Sequence, residues 1–147
     1  MSAKLLVMNV AKPTITVGAI IKAPIEKVWK YFNEPAHIMK WNSASADWHT
    51  TSSQNDLKVG GKFLSRMEAK DGSFGFDFGG IYEKVTENEL MEYILGDGRR
   101  VIVTFEKKGD GTKLTETFEA EGTHSLDQQK EGWQAILNNF KKYVEAA

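Results

Sequence analysis

Residues 125–145 read SLDQQKEGWQAILNNFKKYVE, and the rest of the fold follows from what this stretch needs beside it. At helical spacing Leu126, Gln129, Trp133, Ile136, Leu137, Phe140, Tyr143 and Val144 share one face. Asp127, Lys130, Glu131, Asn138, Lys141, Lys142 and Glu145 fall largely on the other. The spacing predicts an amphipathic helix of about 20 residues, roughly 30 Å long at about 1.5 Å per residue. Ser125 offers an N-cap oxygen and Gln128 follows three residues on, as in a capping box. Lys141 and Lys142 stand near the C-terminal end, where the helix dipole favours cations. So wide an aromatic stripe needs a broad apolar surface to lie on, and the chain upstream has to provide it.

Upstream, residues 1–13 read as a lead-in or a first-strand extension. Residues 14–21 are rich in β-branched side chains and predict a strand. Ala23-Pro24 stops it, and Pro24 suits the first turn of a helix. Ile25, Val28, Trp29 and Phe32 mark one short helix; after Asn33-Glu34-Pro35, Ile38, Met39 and Trp41 mark a second. Strands are then predicted over 48–53, 62–69, 73–85, 89–95, 99–107 and 112–121. They are separated by Gly60-Gly61, Asp71-Gly72, Glu87-Asn88, Gly96-Asp97-Gly98 and Gly109-Asp110-Gly111. Tight turns between successive strands mean an antiparallel meander. A sheet of six to seven strands twists and curls. The expected architecture is therefore α+β: a curved antiparallel sheet wrapped around the long C-terminal helix, with two short helices after the first strand closing one end.

The bulk properties narrow the function classes. A chain of 147 residues, 41% hydrophobic and 27% charged, suits one soluble domain over 1–147, with a core over 14–145. The net charge of −1 gives no electrostatic reason to bind nucleic acid or an anionic membrane. No apolar run is long enough for stable membrane insertion, and the first residues lack the layout of a signal peptide. There is no cysteine, which removes disulfides and thiolate chemistry and fits a cytoplasmic protein. His37, His49 and His124 show no metal-ligand spacing, and the Gly-rich pieces are hairpin turns rather than phosphate-cradling loops. No metal and no cofactor is expected.

With the element order in hand, the chain resembles the helix-grip fold of the START/SRPBCC superfamily, which includes birch-pollen-allergen-like and polyketide-cyclase-like proteins. Within it, the chain is similar to the bacterial branch related to the C-terminal domain of the activator of heat shock protein 90 ATPase. The residues that carry the likeness are Ala23 to Trp29, Pro35 to Trp41, Val59-Gly60-Gly61-Lys62-Phe63, Met67 to Gly72, Phe78 to Val85, Val101 to Phe105 and Gly132-Trp133. The resemblance implies a hydrophobic cavity between sheet and long helix, but no single activity, since members include lipid carriers, metabolite binders, cyclases and co-chaperone domains.

Strand parity then proposes the lining. If Leu90 and Ile94 face inward, so does Glu92; if Leu114 and Phe118 do, so does Glu116; if Val101, Val103 and Phe105 do, Arg99 shares their side. Phe63, Ser65 and Met67 form another inward row beside Phe74, Phe76, Phe78 and Tyr82. Glu92 and Glu116 read either as groups that orient a polar ligand or act as acid and base, or as carboxylates near a sheet end paired with Lys or Arg, since one register slip reverses every facing. Trp41, Trp48 and His49 read as a cavity mouth; His49 reads either as a packed or surface residue or as the one histidine to consider for proton transfer. The candidate ligand contacts are thus Trp41, Trp48, Phe63, Ser65, Met67, Phe76, Phe78, Tyr82, Glu92, Val103, Glu116, Phe118, Trp133, Ile136 and Phe140. None is assigned a catalytic role.

The function expected from these residues and the resemblance is binding of a small hydrophobic or amphipathic molecule, such as a lipid, a polyketide or a flavonoid-like compound, by a monomer or homodimer. The alternatives are a cyclase or hydrolase using a cavity carboxylate, and a stress-related or chaperone-interaction module. Against the last, the chain shows no second, N-terminal domain of the kind the chaperone activators carry, so no chaperone stimulation is expected.

Overall fold

The computed structural model describes residues 12–147, so most of the lead-in read over 1–13 lies outside the described residues. Seven strands are present: β1 (Thr14–Ile21), β2 (Trp48–Asn55), β3 (Lys62–Ala69), β4 (Gly75–Thr86), β5 (Leu90–Leu95), β6 (Arg100–Lys108) and β7 (Gly111–Glu119). Three helices join them: α1 (Ile25–Asn33) and α2 (Pro35–Trp41) between β1 and β2, and α3 (Leu126–Ala146) at the end. The strands form one antiparallel sheet in the order β1-β7-β6-β5-β4-β3-β2, curled into a half-barrel. Only β1 leaves the meander order. After β1, the two short helices carry the chain across to the far edge, where β2 starts the return.

The helix expected from its stripe is α3. Ser125 Oγ accepts the Gln128 backbone N–H at 3.1 Å, and Gln128 Oε1 accepts the Ser125 N–H at 3.1 Å, completing the capping box. Leu137, Phe140 and Val144 are fully buried, whereas Leu126, on the same stripe, is half exposed. Ser125→Ala removes one reciprocal bond of the box. It is expected to cost about 1 kcal/mol, read as a small drop in the urea midpoint at unchanged m-value.

Two of the differences in strand boundaries, and one change of facing, have local reasons. Asp71 Oδ1 accepts the Ser73 N–H at 2.8 Å and Gly72 takes φ 79°, so this turn delays β4 to Gly75. A register shift between Thr50 and Ser52 rotates the end of β2, so that Thr50 and Ser53 face the curl, opposite Met67 and Ser65. β7 ends at Glu119 because Glu121 serves the start of α3 instead. Its N–H donates to Gln129 Oε1 at 2.8 Å, and its carboxylate accepts the backbone N–H groups of Thr123 and His124. Those donors hold the Glu121 carboxyl down at about 2.

The core lies inside the curl. β1 buries Ile15, Val17 and Ile21; β6 buries Val101, Val103 and Phe105; β7 buries Thr112, Leu114, Glu116 and Phe118. Alternation of period two puts each set on one face. Trp29 and Phe32 of α1 cross the Phe105 ring at 5.0 and 5.6 Å, and Phe32 meets Phe140 at 5.2 Å, which ties the short helices to both sheet and α3.

Candidate functional site

The curl does not fill completely. Between sheet, short helices and α3 lies a cavity of about 260 Å³. Its floor is Phe63, Ser65 and Met67 of β3, Phe76, Phe78 and Tyr82 of β4, Met91 and Tyr93 of β5, and Glu116 of β7. Trp133 and Ile136 of α3 cover it; Phe32, Asn33, Ile38 and Trp41 close the helical end; and Ser53, Gln54, Asn55 and Arg99 complete the rim. One glycine shapes the floor. At Gly80 a Cβ would stand 2.4 Å from the Ile94 carbonyl oxygen and 3.1 Å from the Phe63 ring. Its absence lets Phe63 lie over β4, with its ring 4.8 Å from that of Tyr93 and 5.3 Å from that of Tyr82.

Most polar groups around the cavity are satisfied within the protein. Tyr82 O–H donates to Asn55 Oδ1 at 2.6 Å, and Asn55 Nδ2 donates to the Asn33 carbonyl at 2.8 Å. The Ser53 and Ser65 hydroxyls lie 3.2 Å apart. Trp41 Nε1 donates to the Tyr31 carbonyl at 2.9 Å. Arg99 Nε donates to Asp97 Oδ2 at 2.8 Å, so its charge is spent at the β5–β6 turn. Glu116 is the exception. It sits on β7 between Val17 of β1 and Val103 of β6, buried, and burial alone pushes its carboxyl up to about 8. Tyr93 is also buried; desolvation, and then the nearby Glu116 carboxyl, hold its phenol proton well above the usual range. Neither side chain makes a hydrogen bond among the described residues.

Ten of the fifteen expected contacts line the cavity: Trp41, Phe63, Ser65, Met67, Phe76, Phe78, Tyr82, Glu116, Trp133 and Ile136. Five do not. Glu92 faces the opposite way, because β5 turns Met91, Tyr93 and Leu95 into the curl and leaves Leu90, Glu92 and Ile94 outside. There Glu92 pairs with Arg100, and with Lys84 at 3.6 Å. Val103 has the inward parity expected of it but is wholly covered. Phe118 is shielded by Trp133, whose ring stacks on it at 3.8 Å. Phe140 is enclosed by Phe32 and Trp41. Trp48 packs at the sheet edge against Phe74 and Phe76, at 6.0 and 5.8 Å, beyond the cavity.

Phe74, expected in the inward row, is exposed at the hairpin. His49 is exposed on β2 opposite Glu68, away from the cavity, which removes it as a proton-transfer group there. Reasoning from the sequence missed Tyr93 and Met91, whose unbroken apolar alternation with Leu95 was the available signal. It also missed Ser53 and Asn55, which the bulge in β2 brings inward.

The sequence profile of the family described as Activator of Hsp90 ATPase homolog 1-like protein matches residues 22–145. The chain belongs to this family. A solution structure of an AHSA1-like protein from Aeromonas hydrophila is similar at 49% identity and a TM-score of 0.86, over 91% of this chain and 93% of that one. A solution structure from Cytophaga hutchinsonii shares 55% identity at a TM-score of 0.76, over 92% of each chain. A crystal structure from Chromobacterium violaceum, at 23% identity and a TM-score of 0.81 over 90% of this chain and 96% of that one, shares the fold. None of the curated proteins matches the chain. Among the described residues, no helix of this AHSA1-like chain is long and apolar enough to cross a membrane.

Proposed function

We propose that this AHSA1-like chain binds a small hydrophobic or amphipathic molecule in the cavity between sheet and α3. The observation that carries the reading is an apolar cavity whose wall holds a buried carboxyl with no partner of its own. Burying such a group in a packed core would be a pure cost; at a cavity wall it serves recognition. Apolar walls with a few placed polar groups are the usual make-up of small-molecule sites, which run from about 300 to 1,000 Å³ for drug-sized ligands. At about 260 Å³ this cavity falls just below that range. The occupant is then a single ring or short chain, the small end of the lipid-, polyketide- and flavonoid-like compounds that the fold suggests.

Native mass spectrometry of gently purified protein, followed by NMR titration with small aromatic compounds, tests the reading. Shifts concentrated at Trp133, Phe78 and Tyr93 are the expected result. Ile136→Trp, which fills the cavity from α3, is expected to weaken binding at least about tenfold, since the added indole excludes the ligand's own contacts. Shifts scattered over the surface, or unchanged affinity in the filled variant, would sink it.

A further inference from the structure

We propose that Tyr93 and Glu116 act together as a two-donor clamp that selects the ligand by a carbonyl oxygen. The inference rests on the cavity being a binding site, and it names the ligand's recognised group. Both side chains line the cavity, both are buried, and neither has a hydrogen-bond partner among the described residues. Glu116 pairs with Val103, which pairs with Met91, and Tyr93 is the next inward residue along β5, so the two face the same space with no hydrogen bond between them.

Among the other titratable groups, Tyr82 acts on the pair, its ring 5.9 Å from that of Tyr93 and adding to the rise of that phenol. β1 and β6 flank Glu116 with Val17 and Val103. The helices present Phe32, Asn33, Ile38, Trp41, Trp133 and Ile136 to the cavity, none of which titrates. Tyr82 is engaged with Asn55 and Arg99 with Asp97. With no cation bonded to it and its carboxyl desolvated by burial, Glu116 retains its proton at neutral pH, and its O–H joins the Tyr93 O–H as a donor.

The chemistry of the occupant follows. One carbonyl oxygen has two lone pairs and accepts from both donors. A hydrocarbon of the same shape fills the space but leaves two buried donors dry, each a penalised state. An amine would have to take the proton from Glu116 and seat two desolvated ions in an apolar pocket, where attraction barely offsets desolvation. A neutral molecule with a ring and a carbonyl fits both the apolar wall and the donors.

The experiment uses a matched pair, acetophenone and ethylbenzene, titrated into the full chain and followed by NMR at the Trp133 indole and the ¹³C-labelled Glu116 carboxyl. Acetophenone is expected to bind at least about tenfold tighter than ethylbenzene at pH 6, the scale of one well-made hydrogen bond. That preference is expected to fade as pH rises through about 8, as the Glu116 carboxyl ionises. Tyr93→Phe should reduce the preference severalfold. Glu116→Gln, which keeps an N–H donor that does not titrate, should preserve the preference and abolish its pH dependence. If both probes bind equally at every pH, the clamp is overturned while the cavity stands as a binding site. If neither probe binds in a folded protein, the binding reading fails and the clamp falls with it. A carboxyl signal that shows Glu116 ionised at pH 6 overturns the clamp by itself.

Discussion

Glu116→Gln is expected to stabilise the protein at alkaline pH and to leave it nearly unchanged at acid pH. The carboxyl titrates at about 8 in the fold against 4.5 for an ordinary glutamate. Below about pH 4.5, folded and unfolded chains both hold the proton and the group does not distinguish them. Between about 4.5 and 8 the unfolded chain releases its proton while the fold retains it, so stability falls as pH rises, by about 1.4 kcal/mol per pH unit. Above about 8 the loss is complete and amounts to about 5 kcal/mol, a large share of the 5–15 kcal/mol that typical domains possess. Glutamine has no proton to lose. The difference in urea-unfolding free energy between variant and wild type should be within about 1 kcal/mol at pH 4 and several kcal/mol in the variant's favour at pH 9. A difference that is flat with pH would show that the carboxyl is solvated in the fold.

Phe140→Ala is expected to produce the largest loss of stability of any single truncation in α3. Phe140 is fully buried and meets Phe32 and Trp41 edge-on at 5.2 and 4.8 Å, so it joins α3 to both short helices. Truncating such a ring costs about 3–5 kcal/mol through lost transfer energy and the void left behind, which lowers Tm by about 10 °C or more. Leu126→Ala is the control. It lies on the same helical stripe but is half exposed, and should cost less than about 1 kcal/mol. Equal losses from the two substitutions, read by thermal unfolding, would contradict this packing.

That contrast shows how far the sequence was legible. Periodicity placed Leu126 and Phe140 on one face, but only the arrival of Phe32 and Trp41 decides that Phe140 is the one covered. On β7, Leu114, Glu116 and Phe118 share a face whose other side is threonine and charge, so the inward position of Glu116 was readable. On β5 two stripes competed, Leu90-Glu92-Ile94 and Met91-Tyr93-Leu95, and both carry apolar residues. The outer stripe is settled by the two flanking strands: Arg100 of β6 and Lys84 of β4 meet Glu92 on that face. The misplacement of Glu92 and the omission of Tyr93 are one error, since a strand that turns one row out turns the other in.

The sequence by itself determined the order of elements, the capped C-terminal helix, the antiparallel meander and the row Phe63, Ser65, Met67. These depend on spacing and turn chemistry within a few residues, and such local signals survive without knowledge of the partner. Only the tertiary structure decided the face of β5, the bulge that brings Ser53 and Asn55 inward, the covering of Phe118 by Trp133, and the opening of Tyr93 and Glu116 onto one cavity. Each of these is settled by which remote side chain arrives to fill or to leave a space, and close packing fixes that only once all the elements are in place.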